Sequence, residues 1–184
     1  MGRRFTEISD SFRTFIEQQH IFFVATAAAD GRVNLSPKGM DSLRVLGRNE
    51  VLWLNATGSG NETATHVQES PRMTLMFCAF SGSALILRLY GSARAIYPGD
   101  PEWPAFYGHF KPNPAPRQIF HMQVDLVQTS CGMAVPFYEY AGDREELNEW
   151  ATKKGEQGIR EYWLTRNAEN VDGKDTGMRA RLKE

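Results

Sequence analysis

The sequence predicts a mainly β (α+β) chain: a small antiparallel barrel of about six strands, with peripheral helices and a helical C-terminal extension. Three observations carry this. Short apolar or alternating runs recur through the first 127 residues, an Asp30-Gly31 pair of the hairpin-forming kind separates two of them, and one short helical stretch interrupts the series. A barrel is the expected arrangement because closure removes unpaired strand edges.

The elements follow in order. Phe5, Ile8, Phe12, Phe15 and Ile16 stand at helical spacing, so residues 5–19 read as an amphipathic helix covering one end of the core. Residues 21–28 read as a strand, Asp30-Gly31 as a tight turn, and residues 32–36 as the returning strand, which Pro37 is expected to end because it lacks an N–H. A second pair, 42–46 and 51–54, is joined by Gly47-Arg48-Asn49-Glu50. Residues 63–69 suit a short helix stopped by Pro71. Two longer strands, 73–80 and 85–95, turn through Ser81-Gly82-Ser83, and a proline-rich stretch precedes a last strand at 119–127. Residues 144–166 turn helical and charged around Leu147, Trp150, Ile159 and Trp163, and the polar segment 167–184 reads as a mobile tail. The expected division is therefore a barrel domain over residues 1–140 and a helical extension over 141–184.

Composition narrows the function classes. With 184 residues the chain can bury a substantial core, and 21 Lys and Arg against 22 Asp and Glu leave no global field for nucleic acid or an anionic membrane. Cys78 and Cys131 have no metal spacing and fit a reducing cytoplasm, with Cys78 a buried thiol in an apolar strand. No stretch approaches the ~20 apolar residues of a membrane helix, so a cytoplasmic protein is expected. The histidines, His20, His66, His109 and His121, are scattered, and no catalytic or zinc-like set emerges.

The junction from Leu54 to His66 is the chemically suggestive stretch. An apolar strand empties into small hydrogen-bonding residues and then a helix start, a place where free N–H groups and the helix dipole can receive an anion; a capped connecting loop is the plain alternative. Gly58 and Gly60 form neither a Walker loop nor a dinucleotide fingerprint. Lys38 lies near Ser36 and Asn34 and can serve an anion or stand solvated. Arg88, inside the run 85–90, must face water, a carboxylate or a ligand anion. Glu62 opposes a phosphate at the junction, and can instead cap the helix or pair with Arg88.

Four blocks in order, residues 30–39, 51–63, 70–77 and 86–94, together resemble the pyridoxamine 5'-phosphate oxidase-like family of flavin-binding split-barrel proteins, and residues 129–136 resemble a branch of it without an assigned reaction. The resemblance implies a six-stranded antiparallel split β-barrel that forms a homodimer with FMN in grooves at the interface. By position, Asn34, Leu35, Ser36 and Lys38 would line the flavin, and Asn55, Thr57, Ser59, Gly60, Asn61 and Thr63 would surround ribityl and phosphate. Arg88 or a partner-chain residue would add charge, because Glu62 and Thr63 stand where the oxidase carries a basic pair. The oxidase's substrate-gripping tryptophan and arginine motif has no equivalent, so vitamin B6 oxidation is not expected. The resemblance implies an FMN-dependent oxidoreductase acting on a small-molecule substrate or electron donor. The alternatives are a flavin- or haem-binding sensor on the same barrel, or a structural dimer with an empty groove.

Overall fold

The computed structural model describes residues 2–182. Eight antiparallel strands form one sheet: β1 (Arg3–Phe5), β2 (Phe22–Thr26), β3 (Asn34–Lys38), β4 (Leu43–Gly47), β5 (Glu50–Ala56), β6 (Arg72–Cys78), β7 (Ile86–Ile96) and β8 (Pro116–Ser130). The spatial order is β3-β2-β6-β7-β8-β5-β4, with β1 added along β8. Among the described residues no pairing joins β3 to β4, so the barrel stays open, the architecture expected of a split barrel.

Two strand assignments depart from the sequence reading. Phe5 belongs to β1, not to the first helix; α1 (Asp10–Glu17) starts later because Ser9 caps it, its Oγ accepting from Phe12 N at 3.3 Å. With β1 the seven strand spans read along the sequence become eight, where the resemblance implied six. Pro37 does not end its strand either: it pairs with Phe23 inside β3, which a missing N–H permits because β3 is an edge strand. The turn at Gly31 is wider than a two-residue hairpin, spanning residues 27–33 between β2 and β3. Gly31 has φ 87°, and a Cβ there would lie 2.5 Å from the Asp172 carboxylate.

Strand β5 shows how the layers arise. Its period of two sends Val51 and Trp53 into the barrel core with Phe22, Leu75, Phe77, Leu89 and Phe120, and sends Leu52 and Leu54 to a second cluster with Ile96, Phe110 and Ile119. Both faces are covered, which is why β5 reads as a continuous apolar run. Trp53 stacks on Phe120 across the ladder at 4.8 Å. The short helix α3 (Trp103–Tyr107), in the proline-rich stretch, closes the second cluster.

The C-terminal extension is docked. Helix α4 (Glu146–Arg166) breaks at Gly155 (φ 66°) and places Ala151, Ile159 and Trp163 against Tyr97 and Ala115 of the barrel. The polar segment that follows is not loose: Asn167 and Thr176 are fully buried, and Met178 opens α5 (Met178–Arg181) against the same cluster. Side-chain pairing missed by composition holds it, since Asp172 pairs with Arg32 while Lys174 joins Asp30 and Glu69. None of the described helices is long and apolar enough to cross a membrane.

Candidate functional site

Strands β3 and β5 wall a groove that the loop into α2 (Glu62–Glu69) closes at one end. Alternation along β3 turns Asn34, Ser36 and Lys38 inward; β5 contributes Trp53 and Asn55; the loop and first helical turn contribute Ser59, Gly60, Asn61, Glu62 and Thr63. The volume is about 330 Å³, within the range of small-molecule sites.

Eight of the eleven residues singled out in the sequence meet here: Asn34, Ser36, Lys38, Asn55, Ser59, Gly60, Asn61 and Thr63. Three do not. Leu35 points to the other face of β3 and is 64% exposed. Thr57 is fully buried behind the loop, donating to Ala115 O at 3.0 Å and accepting from the Trp163 indole at 2.8 Å. Arg88 sits along β7 and donates to Ser130 Oγ at 3.1 Å; neither Glu62 nor the groove is its partner.

The cation that sequence reading missed is Arg117, at the start of β8. It is 3% exposed, and among the described residues no carboxylate pairs with it. Its Nη1 donates to Asn167 Oδ1 at 2.7 Å and to Gly58 O at 3.4 Å, while Nε has no protein acceptor. Burial pulls the guanidinium down to about 10, which leaves it charged at neutral pH. In the sequence Arg117 falls before the strand read at 119–127, whereas Arg88 drew attention from inside an apolar run; the observed strand begins at Pro116 and takes Arg117 into the wall of the groove.

Lys38 is the second cation. Burial, then the Arg117 charge, pull its ammonium down to about 8, with Glu62 opposing; Nζ lies 5.2 Å from the Trp53 ring centre. The Glu62 carboxylate folds over Gly60, where a Cβ would collide with it. The groove thus holds two cations against one carboxylate.

Neutral donors complete the set. Asn61 caps α2 without a side-chain cap hydrogen bond; its Oδ1 accepts from Gln118 Nε2 at 2.7 Å, while Nδ2 is buried without a partner. Thr63 Oγ1 accepts from Asn34 Nδ2 at 3.2 Å, linking the β3 wall to the helix start. Arg117 and Asn61 both line the groove, and each carries a buried donor without a protein acceptor, Nε and Nδ2, which is costly unless an acceptor reaches it.

Comparison with known proteins agrees with this architecture. Residues 8–131 match the family model for pyridoxamine 5'-phosphate oxidase. The pyridoxamine 5'-phosphate oxidase family protein ustO of Aspergillus flavus is 31% identical over 189 residues, covering 92% of this chain and 75% of its own length. Among solved structures, HupZ of Group A Streptococcus superposes with TM-score 0.51 at 20% identity, over 65% of this chain and 91% of that one. A candidate pyridoxamine 5'-phosphate oxidase from Lactobacillus delbrueckii gives 0.53 at 17% identity, over 67% and 94%. These two share the fold. With a family model spanning most of the barrel and a relative aligned along nearly the whole sequence, the chain belongs to the pyridoxamine 5'-phosphate oxidase family.

Proposed function

We propose that the protein is an FMN-binding flavoprotein that acts as an oxidoreductase on a small-molecule substrate. The observation that carries this reading is the buried Arg117, in no ion pair among the described residues, lining the same groove as Asn61, with Nε of the one and Nδ2 of the other each lacking a protein acceptor. That donor set fits a phosphate: one fixed positive charge, a neutral N–H, and the start of α2 with its dipole. It does not fit haem iron equally, since the described groove lining holds no histidine, cysteine or methionine.

In this reading Arg117 and Asn61 hold the phosphate, Thr63 and Ser59 flank it, and Asn34 and Ser36 face the ribityl chain and ring along β3. Bound FMN supplies hydride or electron transfer. Lys38 Nζ carries a proton that is exchangeable near neutral pH beside the ring strand, 5.2 Å from the Trp53 ring centre. Glu62 lowers phosphate affinity by repulsion, so binding is moderate and reversible.

A homodimer belongs to the same proposal. Leu35, 64% exposed on the outward face of the β3 edge, and Val33, 74% exposed just before that strand, are where a second copy would cover apolar surface and close the groove.

The test is titration of ligand-free protein with FMN, followed by anaerobic addition of NADH or NADPH. The reading expects saturable quenching of flavin fluorescence at one FMN per chain and bleaching of the bound flavin. Absence of binding contradicts the cofactor, and binding without reduction by any nicotinamide donor contradicts the oxidoreductase half.

A further inference from the structure

The family-matched region ends at residue 131, yet the groove's charged end is built partly from residues beyond it. Asn167, at the C-cap of α4, is fully buried and spends its whole side chain on this site. Its Oδ1 accepts from Arg117 Nη1 at 2.7 Å; its Nδ2 donates to Gly58 O at 3.0 Å and to Ser59 O at 3.2 Å. One amide therefore ties the guanidinium to the loop that faces it. The residue is itself fixed from behind, because its backbone O accepts from Thr176 Oγ1 at 2.5 Å and its N–H donates to Trp163 O at 3.1 Å.

The chemistry of the pairing matters. A carboxylate at position 167 would neutralise Arg117 and remove the reason for an anion to enter; an apolar side chain would leave the guanidinium held only by its 3.4 Å bond to Gly58 O and the Ser59 carbonyl without its side-chain donor. A neutral amide orients the cation without adding a carboxylate to the Glu62 already in the groove. The same strap reaches the other wall of the groove, since Asp172 accepts from Arg32 N at 2.8 Å beside the loop that leads into β3.

We propose that Asn167 is a positioning residue for the anion subsite, aiming Arg117 at the phosphate of a phosphorylated ligand, so that the C-terminal strap sets the preference for the phosphorylated over the unphosphorylated flavin. This rests on the flavin reading above for the ring, and on Arg117 alone for the phosphate.

The experiment compares FMN with riboflavin, and adds inorganic phosphate as a flavin-free probe. In Asn167→Ala, FMN affinity falls about tenfold or more while riboflavin affinity stays within about twofold. Asn167→Asp keeps the acceptor for Arg117 and lowers FMN affinity by more than riboflavin affinity, through charge. In an Arg117→Gln background, Asn167→Ala changes the FMN to riboflavin ratio no further, because its effect passes through the arginine. A parallel loss of both flavins, or an unchanged ratio in both Asn167 variants, overturns the proposal. If the wild-type protein binds neither flavin, the FMN reading fails and phosphate decides alone. A rise in melting temperature with millimolar phosphate that both Asn167 variants lose then upholds the positioning role, and no rise in the wild type overturns it.

Discussion

The Trp163 indole N–H donates to Thr57 Oγ1 at 2.8 Å, joining residues 106 positions apart across the seam between the extension and the loop behind the groove. Trp163 is buried, and Thr57 keeps a second bond by donating to Ala115 O. Trp163→Phe therefore removes one buried hydrogen bond and part of a ring, and destabilises the fold by about 1–3 kcal/mol in equilibrium urea unfolding. The barrel and its extension are expected to unfold in one transition, because the contact belongs to both.

Glu62 holds the one carboxylate of the groove. Glu62→Gln removes its repulsion of a phosphate while keeping the side-chain shape, and tightens FMN by about three- to tenfold, or about 1 kcal/mol at the dielectric of a partly exposed site. Riboflavin, lacking the phosphate, is expected to bind both proteins alike. Calorimetric titration of the two ligands measures the difference.

Lys38 gives two opposite pH dependences. Its ammonium titrates at about 8 in the folded protein and at the ordinary 10.5 in the unfolded chain, so between these values the unfolded chain binds more protons and stability rises with pH. The cost of burying the charge is complete below pH 8 and relieved by pH 10.5. Affinity for an anion in the groove runs the other way, falling as pH rises through 8 because the cation is lost. Relative to wild type, Lys38→Met should flatten both curves in chemical denaturation and FMN titration between about pH 7 and 10.

Gly91 stands where the β7–β8 ladder shifts register, and a Cβ there would collide with the Gln123 carbonyl. Backbone on both sides leaves no flexible group to yield. Gly91→Ala is expected to cost about 3 kcal/mol or more, read as a lower midpoint in urea unfolding.

The strands were legible because the barrel buries one face of most of them and both faces of β5, which writes alternation or continuous apolar runs into the sequence. The short pieces were not. β1 is three residues long and shares Phe5 with a helical pattern, and Pro37 has a tolerable place only because β3 is an edge, which is a fact of topology. At the site, the β3 residues and the loop from Ser59 to Thr63 were legible through local chemistry and family resemblance. Arg117 was not, since it lies outside the strand read at 119–127 and its place depends on the register of β8 against β5. The segment after Arg166 reads as polar and loose because its buried groups, Asn167, Asn170 and Thr176, are held by hydrogen bonds and not by apolar surface.

The central claim is that Arg117 makes this groove a phosphate-anchored flavin site, and the most direct measurement is FMN titration of the wild-type protein beside Arg117→Gln. The account predicts one FMN per chain in the wild type and a loss of affinity of at least about tenfold in the variant, with riboflavin binding little changed. No saturable FMN binding in the wild type, or equal FMN affinity in the two proteins, would contradict it.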